Sequence, residues 1–208
     1  MQASPSRQRL RPTITEQARR AQIVAAAIET IGALGYTKAS FAQIAKRAGL
    51  SSTGLISYHF GTRKQLDQAI VAEIYGRLTR HMTVAMADVP GPEAALVAYI
   101  EGLIGFMQAD PFALRAMVDI VMNGGVAYDA SSEQEATSGI GEILRWGQAE
   151  GVFRAFDVPV MATTIQRSLD GIPLAQATNP ELDLDAYARE LVTLFTLATR
   201  AREKEACR

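Results

Sequence analysis

Four helix-start signals fall within about fifty residues at the front of this chain, and they leave room for little except a compact helical bundle. A helix start has backbone N–H groups without partners, which a preceding Ser, Thr or Asp oxygen and a Glu or Gln three residues later can satisfy. Thr13 with Glu16, Ser40 with Gln43 and Thr62 with Gln65 have this spacing. Ser51 is placed to cap a further helix, with Leu50 and Leu55 as a hydrophobic staple across its start. The first helix carries Ile23, Ala27, Ile31 and Leu34 on one side and stops at Gly35. The second is short and ends at Gly49; the one opening at Thr62 runs to about Ala87.

The remaining segments are also helical in length and punctuation. Pro92 opens a helix to about Ala109, and Asp110-Pro111 starts the next, ending near Asn123. Small polar residues over 126–135 read as a loop, before a helix from about Gln134 to Glu150. Pro159 opens a region closed by Asn179-Pro180, and Asp185 caps a last helix to about Arg202. No period-two strand pattern and no internal repeat occur. The expected fold is all-α with about nine helices: a three-helix domain over 1–62 and a larger helical domain over 63–208.

Within the first domain, Phe41 to Phe60 has the make-up of a helix–turn–helix. Ala45 is small enough for two helices to approach closely, and Gly49 tolerates the positive φ of a tight turn. Ile44, Ala48, Leu50, Leu55 and Tyr58 fall where they bury between the helices. The outward positions of the second helix, Ser52, Thr53, Gly54 and Ser57, are small or polar, as entry to a major groove requires.

Charge points the same way. The net charge of -1 hides a split: residues 1–70 hold ten Lys/Arg against Glu16, Glu29 and Asp67, whereas 71–208 hold eleven against nineteen acids. No acid occurs between Glu29 and Asp67. A basic head on an acidic body fits a polyanion reader on a carrier that does not bind polyanions, although solvated charge can also cluster by chance. Arg7, Arg9 and Arg11 could form an arm into a minor groove or a solvated tail.

These residues resemble a known family. Ile44-Ala45-Lys46-Arg47-Ala48-Gly49-Leu50-Ser51 followed by Gly54-Leu55-Ile56-Ser57-Tyr58-His59-Phe60, within Thr15 to Leu66, is similar to the tetracycline-repressor (TetR) family of bacterial transcription regulators. The resemblance implies that Tyr58 and His59 touch DNA phosphates. It implies that Arg63 stands where the family has a phosphate-binding lysine, with Lys64 beside it. Thr53, Gly54, Leu55 and Ser57 would lie at base and sugar, and Lys38, Ser40, Ser51 and Ser52 complete the expected DNA-facing set. This chain departs from the family at Ser57, often aromatic, and Leu55, often polar. The spacing of Tyr58 from Leu55 equally fits a side chain packed into the bundle.

The body is rich in methionine and aromatic residues, which line adaptable pockets and ordinary cores alike. The resemblance implies an effector pocket, for which the candidates are Met82, Met86, Phe106, Met107, Met117, Asp119, Met122, Trp146 and Gln166. Two amphipathic stripes, Met161-Ile165-Leu169-Ile172 and Tyr187-Leu191-Leu194-Ala198, suit a four-helix interface between two copies or burial within one.

An enzyme is poorly supplied. His59 and His81 are the two histidines, no HExxH or Gly-x-Ser-x-Gly motif occurs, and the single Cys207 allows neither an intrachain disulfide nor a cysteine zinc cluster. No cofactor or metal is expected. No apolar run of membrane-spanning length occurs, and the first apolar stretch is too short for a signal peptide, so a cytoplasmic protein is expected. The expected function is a ligand-responsive repressor that binds a palindromic DNA operator as a homodimer and is released by a small apolar or amphipathic effector. The alternative is a helical small-molecule-binding protein of corepressor or activator sign, or without a DNA role.

Overall fold

The computed structural model describes residues 14–201. The Thr13 cap, the Arg7, Arg9 and Arg11 arm, Arg202 and Cys207 lie outside the described residues. Ten helices follow in order: α1 (Ile14–Leu34), α2 (Phe41–Arg47), α3 (Gly54–Phe60), α4 (Arg63–Ala85), α5 (Pro92–Ala109), α6 (Ala113–Met122), α7 (Ala130–Ala149), α8 (Val158–Asp170), α9 (Ile172–Thr178) and α10 (Leu184–Thr199). Among these residues no strand forms; one isolated bridge joins Phe153 to Arg200.

The head is built from the expected signals. Ser40 accepts from the Gln43 N–H at 3.3 Å, and Thr62 with Gln65 forms a complete capping box, worth about 1 kcal/mol to the start of α4. Gly49 sits at φ +63°, where a β-carbon would be strained. The third helix differs from expectation. It begins at Gly54 rather than after Ser51, and Thr53, its N-cap, makes no side-chain capping bond. The reason lies in the turn: the Leu50 N–H returns to the Ala45 carbonyl at 2.9 Å, so the chain needs more residues before it can coil again. This start sets the helix's register. Ile56 and Phe60, four residues apart, are buried, Leu55 is half-buried, and Tyr58 is 72% exposed. The expectation that Leu55 and Tyr58 fill the seam is therefore corrected.

Three further boundaries shift. Asp129 accepts from the Ser131 and Ser132 N–H groups, both at 3.0 Å, so α7 starts at Ala130 inside the expected loop. Gly171 and Pro173 split the expected single segment into α8 and α9, because proline cannot donate to the preceding turn. Asp183, not Asp185, caps α10, accepting from Ala186 at 2.9 Å.

Arg63, where the sequence reading sets the domain boundary, is the first residue of α4. That helix packs on α1 and α3 and also on α5 and α6, while α1 lies against α6. One apolar core therefore runs from Ile28 and Ile44 through Ile70 and Ile74 to Ile104 and Ile120. Gly32 makes the α1–α6 contact possible: a β-carbon there would lie 2.6 Å from that of Phe112.

Candidate nucleic-acid interface

The exposed surface of the head gathers most of the DNA-facing set. Ser51, Ser52, Thr53, Gly54 and Ser57 are all exposed on the turn and on α3. Buried Ile56 and Phe60 hold the opposite side of that helix, each worth about 1.5–3 kcal/mol relative to exposure. Tyr58 stands free of the bundle and meets the half-buried His59 edge-on, with ring centroids 5.1 Å apart. Lys38 and Ser40 are exposed ahead of α2, and Lys64 is exposed in the first turn of α4. Of the basic residues in this region, Arg47 pairs with Glu29 at 3.1 Å and Arg63 with Asp67 at 2.9 Å. Lys38, Lys46 and Lys64 enter no ion pair among the described residues.

Arg63 is placed differently from its expected role. Its Nε donates to Asp67, its Nη1 donates to the Ala39 carbonyl at 2.6 Å, and its guanidinium lies 4.3 Å from the Tyr36 ring centroid. Asp67 is fully buried and also accepts from the Tyr36 hydroxyl at 2.7 Å. The Tyr36 phenol is pushed above its ordinary pKa by burial first and then by Asp67, with Arg63 opposing. Arg63 thus ties the start of α4 to the α1–α2 loop, and Lys64 is the cation left outward there.

The same knot reaches the body. Asp119 of α6 accepts from the Tyr36 N–H at 2.7 Å. Gly125 lies so close that a β-carbon would come within 2.9 Å of the Asp67 carboxylate and the Tyr36 hydroxyl. Asp119, expected to line a pocket, is instead a head-to-body tie.

The other pocket candidates are dispersed. Met122 is 79% exposed, and Trp146 faces outward and donates to Glu150 at 2.6 Å. Phe106 and Met107 are core, and Met82, Met86 and Met117 pack half-buried against it. Gln166, itself buried, joins a part-buried polar chain: it accepts from the Tyr99 hydroxyl at 2.9 Å and donates to Asp170 at 2.8 Å. Burial, with Asp170 adding to it, pushes the Tyr99 phenol up to about 12. Tyr75 of α4 is raised by burial first and then by Glu135 and Asp170.

The expected subunit stripes are corrected in part. Ile165, Leu169, Ile172 and Leu191 are buried within the monomer. The rest of the expected stripes stays outward, with Leu194 56% exposed and Met161, Tyr187 and Ala198 half-buried, and Val160 and Leu197, each 64% exposed, join it. Val160, Met161, Thr164, Leu194, Phe195 and Ala198 line an apolar groove of about 360 Å³ between α8 and α10.

Sequence reasoning missed Arg20 and Gln22 of α1. The Arg20 guanidinium lies 4.2 Å from the Phe60 ring centroid and donates to the His59 carbonyl, and the Gln22 amide donates to the Ala48 carbonyl at 2.7 Å. The signal was available for Arg20, which lies one turn before buried Val24.

Comparisons place this head among known proteins. A family model described as "Bacterial regulatory proteins, tetR family" matches residues 23–70. The HTH-type transcriptional regulator BetI of Cronobacter sakazakii is 36% identical over 107 residues, 49% of this chain and 50% of that protein. An uncharacterized HTH-type transcriptional regulator of Mycobacterium bovis is 39% identical over 88 residues, 40% of this chain and 45% of that one. The chain spans about half the length of the curated relatives it matches. The fold extends further. A tetR-family regulatory protein from Rhodococcus RHA1 superposes with a TM-score of 0.75 at 20% identity, covering 89% of this chain and 98% of that one. The fatty acid degradation regulator FadR from Bacillus halodurans gives 0.72 at 20% identity, covering 86% and 99%.

Proposed function

Since residues 23–70 match the model of the tetR family of bacterial regulatory proteins, we propose that the chain is a regulator of that kind, which controls transcription by binding duplex DNA as a homodimer under the control of a small effector. The observation that carries this reading is the presentation of α3. Its apolar side is locked to the bundle by Ile56 and Phe60, while Ser52, Thr53, Gly54, Ser57 and Tyr58 are exposed with no acid among them. In a major groove these small polar groups meet base edges, and Tyr58, His59, Lys38, Ser40, Ser51 and Lys64 meet the flanking phosphates. Arg63 acts indirectly, by fixing the first turn of α4. Residues up to 62 form the DNA-binding domain and the rest the sensing and pairing domain.

The α8–α10 groove, with Val160, Leu194 and Leu197 outward, is the face that pairs two copies. Pairing sets the two recognition helices about 34–36 Å apart, one turn of B-DNA. The effector site lies around the Tyr99–Gln166–Asp170 chain. An effector that prefers an arrangement of the body in which the head is displaced weakens DNA binding by its own differential affinity. No helix among the described residues is long and apolar enough to cross a membrane, and DNA as partner implies the cytoplasm.

Selection of bound duplexes from a random-sequence library tests the reading. Recovery of a palindrome with half-sites one turn apart supports it, and recovery of no preferred sequence at low salt contradicts it. Addition of candidate effectors to the recovered duplex then reads the sign, with release marking a repressor.

A further inference from the structure

A depression of about 410 Å³ lies beside the recognition helix, where Tyr58 and His59 of the set described above for DNA contact meet residues outside that set. Arg20 of α1, Tyr58, His59 and Phe60 of α3, and Gln65 and Gln68 of α4 line it. Its chemistry is one-sided, because no carboxylate lines it and its side-chain polar groups are able to donate hydrogen bonds. Arg20 is held in place from two directions, by the Phe60 ring and by the His59 carbonyl. That leaves its remaining N–H groups for a further partner, and no ion pair among the described residues takes it. Gln65 is oriented too. Its Oε1 accepts from the Thr62 N–H at 3.1 Å, which turns its amide nitrogen away from that bond.

We propose that this depression is an oxyanion seat, built by Arg20 with His59, Gln65 and Gln68, that holds a backbone phosphate of the bound duplex just outside the groove read by α3. The inference rests on the DNA-binding reading and adds an α1 residue to it. A guanidinium pre-set on an aromatic ring, with neutral amide donors around it, matches a phosphate's several oxygens and carries no information about base sequence. The seat fixes the register of α3 along the duplex, and base choice stays with the α3 side chains.

The test measures affinity for a short mixed-sequence duplex by fluorescence anisotropy between about 50 and 200 mM salt, comparing wild type with Arg20→Gln, Gln68→Glu and Lys64→Gln. Each phosphate contact contributes about 0.9 to the slope of log affinity against log salt. The expected result is a slope shallower by about that amount for Arg20→Gln and for Gln68→Glu, which places a carboxylate in the depression that Arg20 lines. Thermal melts separate this from loss of fold, and Gln68, being exposed, keeps the test open if Arg20→Gln unfolds. Unchanged slopes in both variants, with wild type binding and Lys64→Gln reducing the slope, overturn the seat alone. Absence of wild-type binding overturns the DNA reading itself. Inorganic phosphate is titrated separately by amide NMR: saturation at the seat with unchanged duplex slopes assigns it to a free anion and overturns the proposal.

Discussion

Asp67 is the residue on which the geometry of the head turns. A carboxylate with no exposed surface is costly unless its charge is matched, and here Arg63 and the Tyr36 hydroxyl match it. Asp67→Asn keeps the shape and removes the charge, leaving a half-buried guanidinium without its counter-ion. The expected loss is about 3 kcal/mol of unfolding free energy by denaturant titration, and a change below about 1 kcal/mol would show that Arg63 finds water as a substitute. Tyr99 offers a second test. Its phenol is raised to about 12, chiefly by burial. Below the unfolded value near 10 it is neutral in both states and costs nothing. As pH climbs from there to about 12 only the unfolded chain ionises, so stability falls across that window. Ultraviolet titration of Tyr99→Phe against wild type reads it: the variant lacks the latest-titrating phenol and loses less stability in the same range. Little of this was visible from sequence. A basic residue at the start of a helix looks the same whether it faces solvent or a carboxylate one turn on, and Arg63 was read outward for that reason.

At the scale of elements, helix starts were largely legible and helix partners were not. The Thr62–Gln65 box and the positive φ at Gly49 are local, set by atoms within a few residues, and they appear as expected. The register of α3 depends on how many residues the turn consumes, which periodicity cannot count, so Leu55 and Tyr58 were placed inward where Ile56 belongs, beside a Phe60 that is core as the sequence indicates. The stripes on α8 and α10 show the same limit. An apolar row marks a face that needs burying without saying whether the partner is the same chain or another, and the buried row here lies beside the exposed one. Gly32 reads as one residue of a helix, yet it sets how closely α1 approaches α6. Gly32→Ala forces its new methyl against Phe112, and an overpacking cost of about 1–3 kcal/mol is expected. Because α1 carries the head, DNA affinity should fall at temperatures where the variant remains folded, as checked by circular dichroism and anisotropy together. Unaltered affinity and stability would mean that α6 retreats freely.

For the whole molecule, the proposed DNA-reading surface and the proposed pairing face sit at different parts of one continuous core. Neither works alone in this account, since a single head meets only half of a twofold site. Replacing Val160 and Leu194 together by glutamate removes two outward apolar side chains and buries nothing charged within the monomer. Sedimentation equilibrium should show a folded monomer, with affinity for the selected duplex reduced by at least about a hundredfold through loss of the second contact. A dimer that survives both substitutions would move the pairing face elsewhere. The most direct measurement of the central claim is hydrogen exchange of the full chain with and without the selected duplex. Protection concentrated over residues 51–64, with the outward face of α8 and α10 already protected before DNA is added, is the predicted result. Unchanged exchange over 51–64 in a saturated complex would contradict the account, because the segment assigned to read DNA would then not be touching it.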